Sequence, residues 1–219
     1  MFTLVSGDID QTDPDLADRI YRFRHRFFVE GLGWDACRRP DGRERDQFDG
    51  PATFHLVSEH EHEIVAYARF LPTTGPHLLS HLYPEILQGA AAPRGRRVYE
   101  WTRQAITAKR REMSDAQAFT IAFSGAVALT VDVLGLEGLL IQFHPAHITR
   151  LLDTGWEVEP LTLPILYQGN QIVPVYARVT ERTLTAARAA FAALNGAALQ
   201  IPRAFQLAEP ASDPTVILR

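Results

Sequence analysis

The chain has 219 residues, 46% of them hydrophobic, with 22 Lys or Arg, 26 Asp or Glu and a formal charge of −4. That suits one domain with a sizeable core, and the charge argues against general nucleic-acid binding. No apolar run approaches the roughly 20 residues of a membrane span, the first eight residues lack the basic and apolar regions of a secretory signal, and a single cysteine, Cys37, excludes a disulfide framework. A soluble cytoplasmic protein with no membrane partner is expected.

Asp13 is a good N-cap, with Pro14 at the first helical position. Leu16, Ile20, Phe23 and Phe27 then recur at helical spacing, which predicts a helix ending near Gly31 or Gly33. Residues 35–51 are polar and broken by Pro40-Asp41-Gly42, and read as a long loop forming a flap or wall over a site. Strands are predicted over 53–58 and 64–70, joined by a charged turn at 59–63. His60 and His62 on that turn lack a third metal ligand nearby, so no metal site is assigned. A short helix over 78–87, restarted at Pro84, leads to a loop rich in Arg and Gly at 90–97. An Ala-rich apolar helix runs from Ala116 to about Val133, a strand over 139–143, a short helix over 145–152, strands over 156–165 and 172–179, and a last helix over 181–195. The tail after Pro202 reads as loose. This alternation predicts a single α/β domain, a three-layer α-β-α sandwich on a mixed sheet.

The stretch Val98-Tyr99-Glu100-Trp101-Thr102-Arg103 stands out. Its aromatic and β-branched residues predict a strand, with Arg103 placed where a helical pattern begins. Glu100 inside it is costly unless paired or used, and strand ends running into helices are where α/β folds keep their chemistry. Arg24, Asp46, Asp49, Arg69 and Arg103 likewise sit among apolar neighbours. Three acids and three arginines suit a zwitterionic ligand, although three surface salt bridges would give the same pattern.

Order and spacing decide for a site. The series Arg24-x3-Phe28-x5-Trp34, Asp46-x2-Asp49, Arg69-Phe70-Leu71-Pro72-Thr73 and Glu100-x2-Arg103 closely resembles the N-acyl-homoserine-lactone synthases, the autoinducer synthases of quorum sensing. The likeness spans roughly 15–180 and extends to Leu151 through Trp156. The family usually has Trp at Tyr99, Ser at Thr102, Leu at Phe70 and Phe at Tyr83.

The resemblance implies an acetyltransferase-like (GNAT) fold. It also implies transfer of an acyl group from a carrier thioester to the amine of S-adenosylmethionine, lactonisation and release of methylthioadenosine. Both are substrates, and no metal or redox cofactor is implied. Glu100 is the expected base for the ammonium. Arg69 or Arg103 would hold the methionyl carboxylate, Asp46 or Asp49 would face the sulfonium or amine, and Arg24 and Tyr83 belong to the same substrate-binding set. Phe28 and Trp34 offer flat faces to the adenine or sulfonium. Tyr99, Trp101, Ile141 and Phe143 would line the acyl slot.

The donor is acyl-CoA or acyl carrier protein. Arg94, Arg96, Arg97, Lys109, Arg110 and Arg111 could form a basic docking surface for the acidic carrier. Against that, Arg39 through Glu44 resembles the family branch that uses CoA thioesters of branched or aromatic acids, which favours CoA. The rival readings are a GCN5-type N-acetyltransferase, whose Gln/Arg-x-x-Gly-x-Gly/Ala loop is not found, and a non-catalytic binding protein, which has no need of Glu100.

Overall fold

The computed structural model describes residues 1–194, 197–202 and 215–218. Its elements run β1 (Phe2–Ser6), α1 (Ile9–Thr12), α2 (Pro14–Arg24), β2 (Phe54–His60), β3 (Glu63–Pro72), β4 (Val98–Ile106), α3 (Ala108–Arg111), α4 (Ala116–Val133), β5 (Gly138–Phe143), α5 (Ala146–Asp153), β6 (Glu157–Pro160), β7 (Ile165–Tyr167), β8 (Asn170–Arg178), α6 (Glu181–Ala193), β9 (Leu199–Pro202) and β10 (Thr215–Leu218). All described strands join one mixed sheet ordered β10-β9-β1-β2-β3-β4-β5-β8-β6, with β7 on β8. β4 and β5 are parallel, so the chain must cross over between them, and α4 makes that crossover.

The two sheet faces are covered separately, giving the expected three layers. On one face α4, α5 and α6 pack over Phe2, Trp101, Leu139 and Ile141. A Cβ on Gly125 of α4 would lie 3.1 Å from Ala187 Cα, so the absent side chain is what lets α4 and α6 approach. α4 is apolar and long enough to cross a membrane by composition, but it is the core helix here. On the other face α2 packs over Val57 and Tyr67, and the turns Leu78–Leu82 and Pro84–Leu87 cover Val98 and Leu140.

Several boundaries differ from the sequence reading. The first long helix is α-helical only to Arg24 and continues as π-helical turns over His25–Gly31; such widened turns occur at functional sites. β4 runs on to Ile106, so Arg103 lies within a strand and not at a strand-to-helix junction. The expected strand over 156–165 breaks into β6 and β7, because Pro160 and Pro164 cannot donate to a ladder. β1, β9 and β10, three short strands at one end of the sheet, were not predicted. Of the tail expected to be loose, 215–218 pair with β9, while 203–214 and 219 lie outside the described residues.

Candidate active site

Strand alternation first sorts the residues by face. Val98, Glu100 and Thr102 point toward α2 and the 78–87 turns, while Tyr99 and Trp101 point toward α4. Arg103 should follow Tyr99 and Trp101. It does not, because β4 carries an extra residue there. Thr102 pairs with Arg69 and Ala105 with Tyr67, so Arg103 and Gln104 together oppose Ala68. Arg103 takes a left-handed φ of 56°, a conformation costing a non-glycine residue about 1–3 kcal/mol. The bulge redirects its guanidinium to the face of Arg69.

There a closed ring of alternating charge forms. Arg24 donates Nε to Glu44 (2.5 Å) and both Nη atoms to Asp49 (2.7 and 2.9 Å). Asp49 accepts from Arg69 Nη1 (2.9 Å), and Arg69 holds Asp46 by two bonds (2.8 and 2.9 Å). Arg103 Nη2 closes the circle by donating to Asp46 (3.3 Å) and Glu44 (3.1 Å). Three cations and three anions sum to zero, which is what makes their burial tolerable. The side chains of Arg24 and Arg69 are 0% exposed and those of Glu44 and Asp49 1%. Burial alone would raise the Glu44 pKa, yet Arg24 and Arg103 hold it down at about 2. Burial opposes ionisation of Asp49 as well, and Arg24 with Arg69 keeps it well below the carboxylate range.

One edge of the ring is open. The Asp46 and Arg103 side chains keep 15% and 8% of their exposure, and Arg103 Nη1 has no partner among the described residues. The Arg103 guanidinium lies 4.9 Å from the Trp34 ring and 5.6 Å from Phe28, which stack on each other at 4.9 Å. The aromatic faces predicted to meet a ligand thus already carry a cation. Tyr83 borders the same edge, its hydroxyl pushed up chiefly by burial and within electrostatic range of Arg103, Asp46 and Glu100.

Glu100 is fully buried and lies beside the ring rather than in it. Its Oε2 accepts from His77 Nδ1 (3.0 Å) and Leu78 N (2.8 Å), and its Oε1 from Leu79 N (3.0 Å) and Gln142 Nε2. No arginine or lysine pairs with it among the described residues.

The matching family is that of the autoinducer synthases, over residues 9–165. The chain belongs to that family. It is 28% identical over 170 residues to isovaleryl-homoserine lactone synthase of Bradyrhizobium diazoefficiens, covering 78% of this chain and 76% of the relative. It is 31% identical to an acyl-homoserine-lactone synthase of Acinetobacter baumannii, covering 76% and 94%. A solved structure of the CoA-dependent acyl-homoserine lactone synthase BjaI with S-adenosylmethionine and isopentyl-CoA superposes with a TM-score of 0.81 at 25% identity, covering 92% of each chain.

In this synthase the sequence-predicted residues fall into three places. Arg24, Asp49 and Arg69 form the sealed side of the ring. Asp46, Arg103, Phe28, Trp34 and Tyr83 surround its open edge. Tyr99, Trp101, Ile141 and Phe143 share the opposite sheet face with α4, where Trp101 stacks on Trp156 at 6.4 Å and Tyr99 on Phe54 at 5.5 Å. Three members were missed, Glu44, His77 and Gln142. Glu44 was read only as part of a turn motif, and its place three residues after Asp41, where the turn at Gly42 (φ 68°) delivers it inward, was the available signal. His77 gave none, since nothing local distinguishes it from a surface histidine. The six basic residues that could have formed one docking surface fall into two groups: Arg94, Arg96 and Arg97 precede β4 while Lys109, Arg110 and Arg111 follow it, about 30 Å away for a nine-residue strand. Arg110 is buried against Asp115, and Lys109 faces Glu61 and Glu63.

Proposed function

We propose that this chain acylates the α-amine of S-adenosylmethionine from an acyl-CoA thioester, closes the product to an N-acyl-homoserine lactone and releases methylthioadenosine. The observation that carries the reading is a neutral charge ring, open at Asp46 and Arg103, beside a buried carboxylate that no arginine or lysine neutralises among the described residues. Family membership and the likeness to a synthase bound to both kinds of substrate support it.

The open edge suits a zwitterion. Arg103, with Nη1 free, takes the methionyl carboxylate, and Asp46 takes the ammonium. Arg69 is better read as the brace behind Asp46, since Asp46, Asp49 and Thr102 already occupy its Nε, Nη1 and Nη2. Trp34, 39% exposed, borders the adenine with the part of its ring that Phe28 and Arg103 leave uncovered. Proton removal from the ammonium depends on Glu100. The freed nitrogen attacks the thioester carbonyl, the C–S bond breaks, and the departing CoA sulfur takes the second amine proton. The methionyl carboxylate oxygen then attacks its own γ-carbon and breaks the bond to the sulfonium. That sulfur is already a good leaving group, so this chemistry needs no further cofactor.

The β4–β5 ladder ends at Trp101 and Ile141 although both strands continue. That parting supports two roles: backbone N–H groups of β4 for the thioester oxyanion, and a slot between strands for the acyl chain, walled by Tyr99, Trp101, Ile141 and Phe143. The separation of the arginines into two distant groups supports CoA over a carrier protein. Both substrates are intracellular metabolites, which supports a bacterial cytoplasmic setting, and we read the chain as one domain.

The test is methylthioadenosine release from S-adenosylmethionine with matched acyl-CoA and acyl-carrier-protein donors, and mass spectrometry of the lactone. Release dependent on both substrates, faster with the CoA donor, is expected. Strong preference for the carrier form would overturn the donor assignment alone. Acylation of other amines without methylthioadenosine release would overturn the synthase reading.

A further inference from the structure

A carboxylate offers about four lone-pair positions, two on each oxygen. At Glu100 all four are taken: His77 Nδ1 and Leu78 N on Oε2, Leu79 N and Gln142 Nε2 on Oε1. With no exposed surface and no vacant lone pair, Glu100 cannot receive a proton without first breaking one of these bonds.

Its neighbour can. Because a carboxylate only accepts, Nδ1 of His77 carries the hydrogen in the 3.0 Å contact, which fixes the tautomer and leaves Nε2 with a lone pair. Nε2 has no partner among the described residues, and unlike His55 Nε2 it is not sealed from its surroundings. The ring is held firmly. His77 N donates to Ser80 Oγ (3.3 Å), and His77 opens the turn Leu78–Leu82, whose first two N–H groups are fixed on the same carboxylate. That turn packs through Leu78 against Phe48 and Leu71, with Tyr83 beside them. Phe48 lies between Asp46 and Asp49, and Tyr83 lies within electrostatic range of Arg103, Asp46 and Glu100. The turn that His77 opens therefore packs on the residue between Asp46 and Asp49, beside the open edge where the ammonium is placed.

We propose that His77 takes the ammonium proton of S-adenosylmethionine on Nε2, with Glu100 acting through it as a positioning residue. The arrangement rests on the synthase reading above. The N–H bond of the ammonium breaks, its electron pair stays on nitrogen as the nucleophile, and the proton sits on Nε2 until it passes to solvent. The imidazolium so formed is stabilised by the Glu100 charge, which no arginine or lysine cancels among the described residues.

His77→Asn separates this role from a structural one, since an asparagine amide can replace Nδ1–H toward Glu100 but offers nothing at Nε2. With the full chain, S-adenosylmethionine and acyl-CoA, kcat for methylthioadenosine release should fall by about 10²-fold or more. KM for S-adenosylmethionine and the thermal midpoint should stay close to wild type. The deficit should shrink as pH rises above the substrate amine's own range, because the free amine then needs no base. If the asparagine variant melts early, His77→Gln is measured in the same way. Activity within threefold of wild type, or a deficit that does not change with pH, would overturn the assignment and leave the synthase function standing. Failure of wild type to release methylthioadenosine would overturn the synthase reading, and this with it.

Discussion

The two buried polar groups on the α2 face solve the same problem in opposite ways. The ring neutralises each carboxylate with arginine: Glu44, Asp46 and Asp49 each touch two guanidinium groups. Glu100 is satisfied instead by two backbone N–H groups, an amide and an imidazole, with no arginine or lysine on it among the described residues. A neutral ring gains little by attracting a proton or a cation, so it holds a shape. A carboxylate held only by neutral donors keeps a charge that can steady a cation formed on the imidazole beside it, so it suits proton transfer through that neighbour. One region therefore reads as framework with a binding edge and the other as chemistry.

Removing the Glu100 charge tests the chemical half and carries the largest expected effect. Glu100→Gln should lower kcat by about 10²–10⁴-fold while the protein stays folded. Initial rates of methylthioadenosine release beside a thermal melt would show it. Activity within a few-fold of wild type would make this carboxylate a structural group like the others.

Arg24→Met tests the framework half. It leaves Glu44 and Asp49 buried with one cation each, and breaking a buried pair costs about 3–5 kcal/mol. For a chain of this size the thermal midpoint should fall by about 6–20 °C. A melt within 2 °C of wild type would show that the ring adds nothing to the fold.

The contrast also explains what could be read from the sequence. Arg24, Asp46, Asp49, Arg69, Glu100 and Arg103 were visible because each is a charge among apolar residues at family spacing. The α-β-α layering was visible because α4 and the β2–β3 hairpin show plain periodicity. Glu44 was hidden in a segment where charge is unremarkable, and only the turn at Gly42 brings it inward. His77 was hidden because its role comes from residues 23 and 65 positions away, Glu100 and Gln142. The Arg103 bulge was hidden because an extra residue in one strand shows only against its partner.

His55 sharpens the framework side through pH. It lies on β2 opposite Arg69, with Nδ1 2.6 Å from the Tyr67 hydroxyl, and Asp49, Arg24 and Arg69 act on it electrostatically. Burial first, then the two arginines, lower its pKa to about 3 against the pull of Asp49. A folded pKa below the unfolded value of about 6.5 means that the unfolded chain binds the proton first. The stability this group contributes is thus complete above pH 6.5 and is lost as pH falls toward 3. Between pH 6.5 and 4.5 wild type should lose about 2 kcal/mol through this group. Melts across that window should show a slope that His55→Gln flattens, and an equal slope in both proteins would assign the loss to other groups.

The smallest effect belongs to the place where framework meets ligand. Asp46 is the most exposed acid of the ring, at 15% against 1% for Glu44 and Asp49. Asn at that position keeps an oxygen for Arg69 and for the Phe48 N–H, so the loop is held, but the ring changes from neutral to a charge of +1. A cationic ring edge should repel the ammonium and sulfonium of S-adenosylmethionine while leaving the thioester unaffected. Asp46→Asn should raise KM for S-adenosylmethionine about tenfold, worth about 1.4 kcal/mol, with KM for acyl-CoA within twofold and the melt little changed. Asp49→Asn, on the sealed side, should do the reverse and lower the midpoint more than it raises KM. Steady-state kinetics varying each substrate in turn, beside melts of both variants, separates the two. An unchanged response to S-adenosylmethionine in Asp46→Asn would mean that the open edge is not where the substrate amine sits.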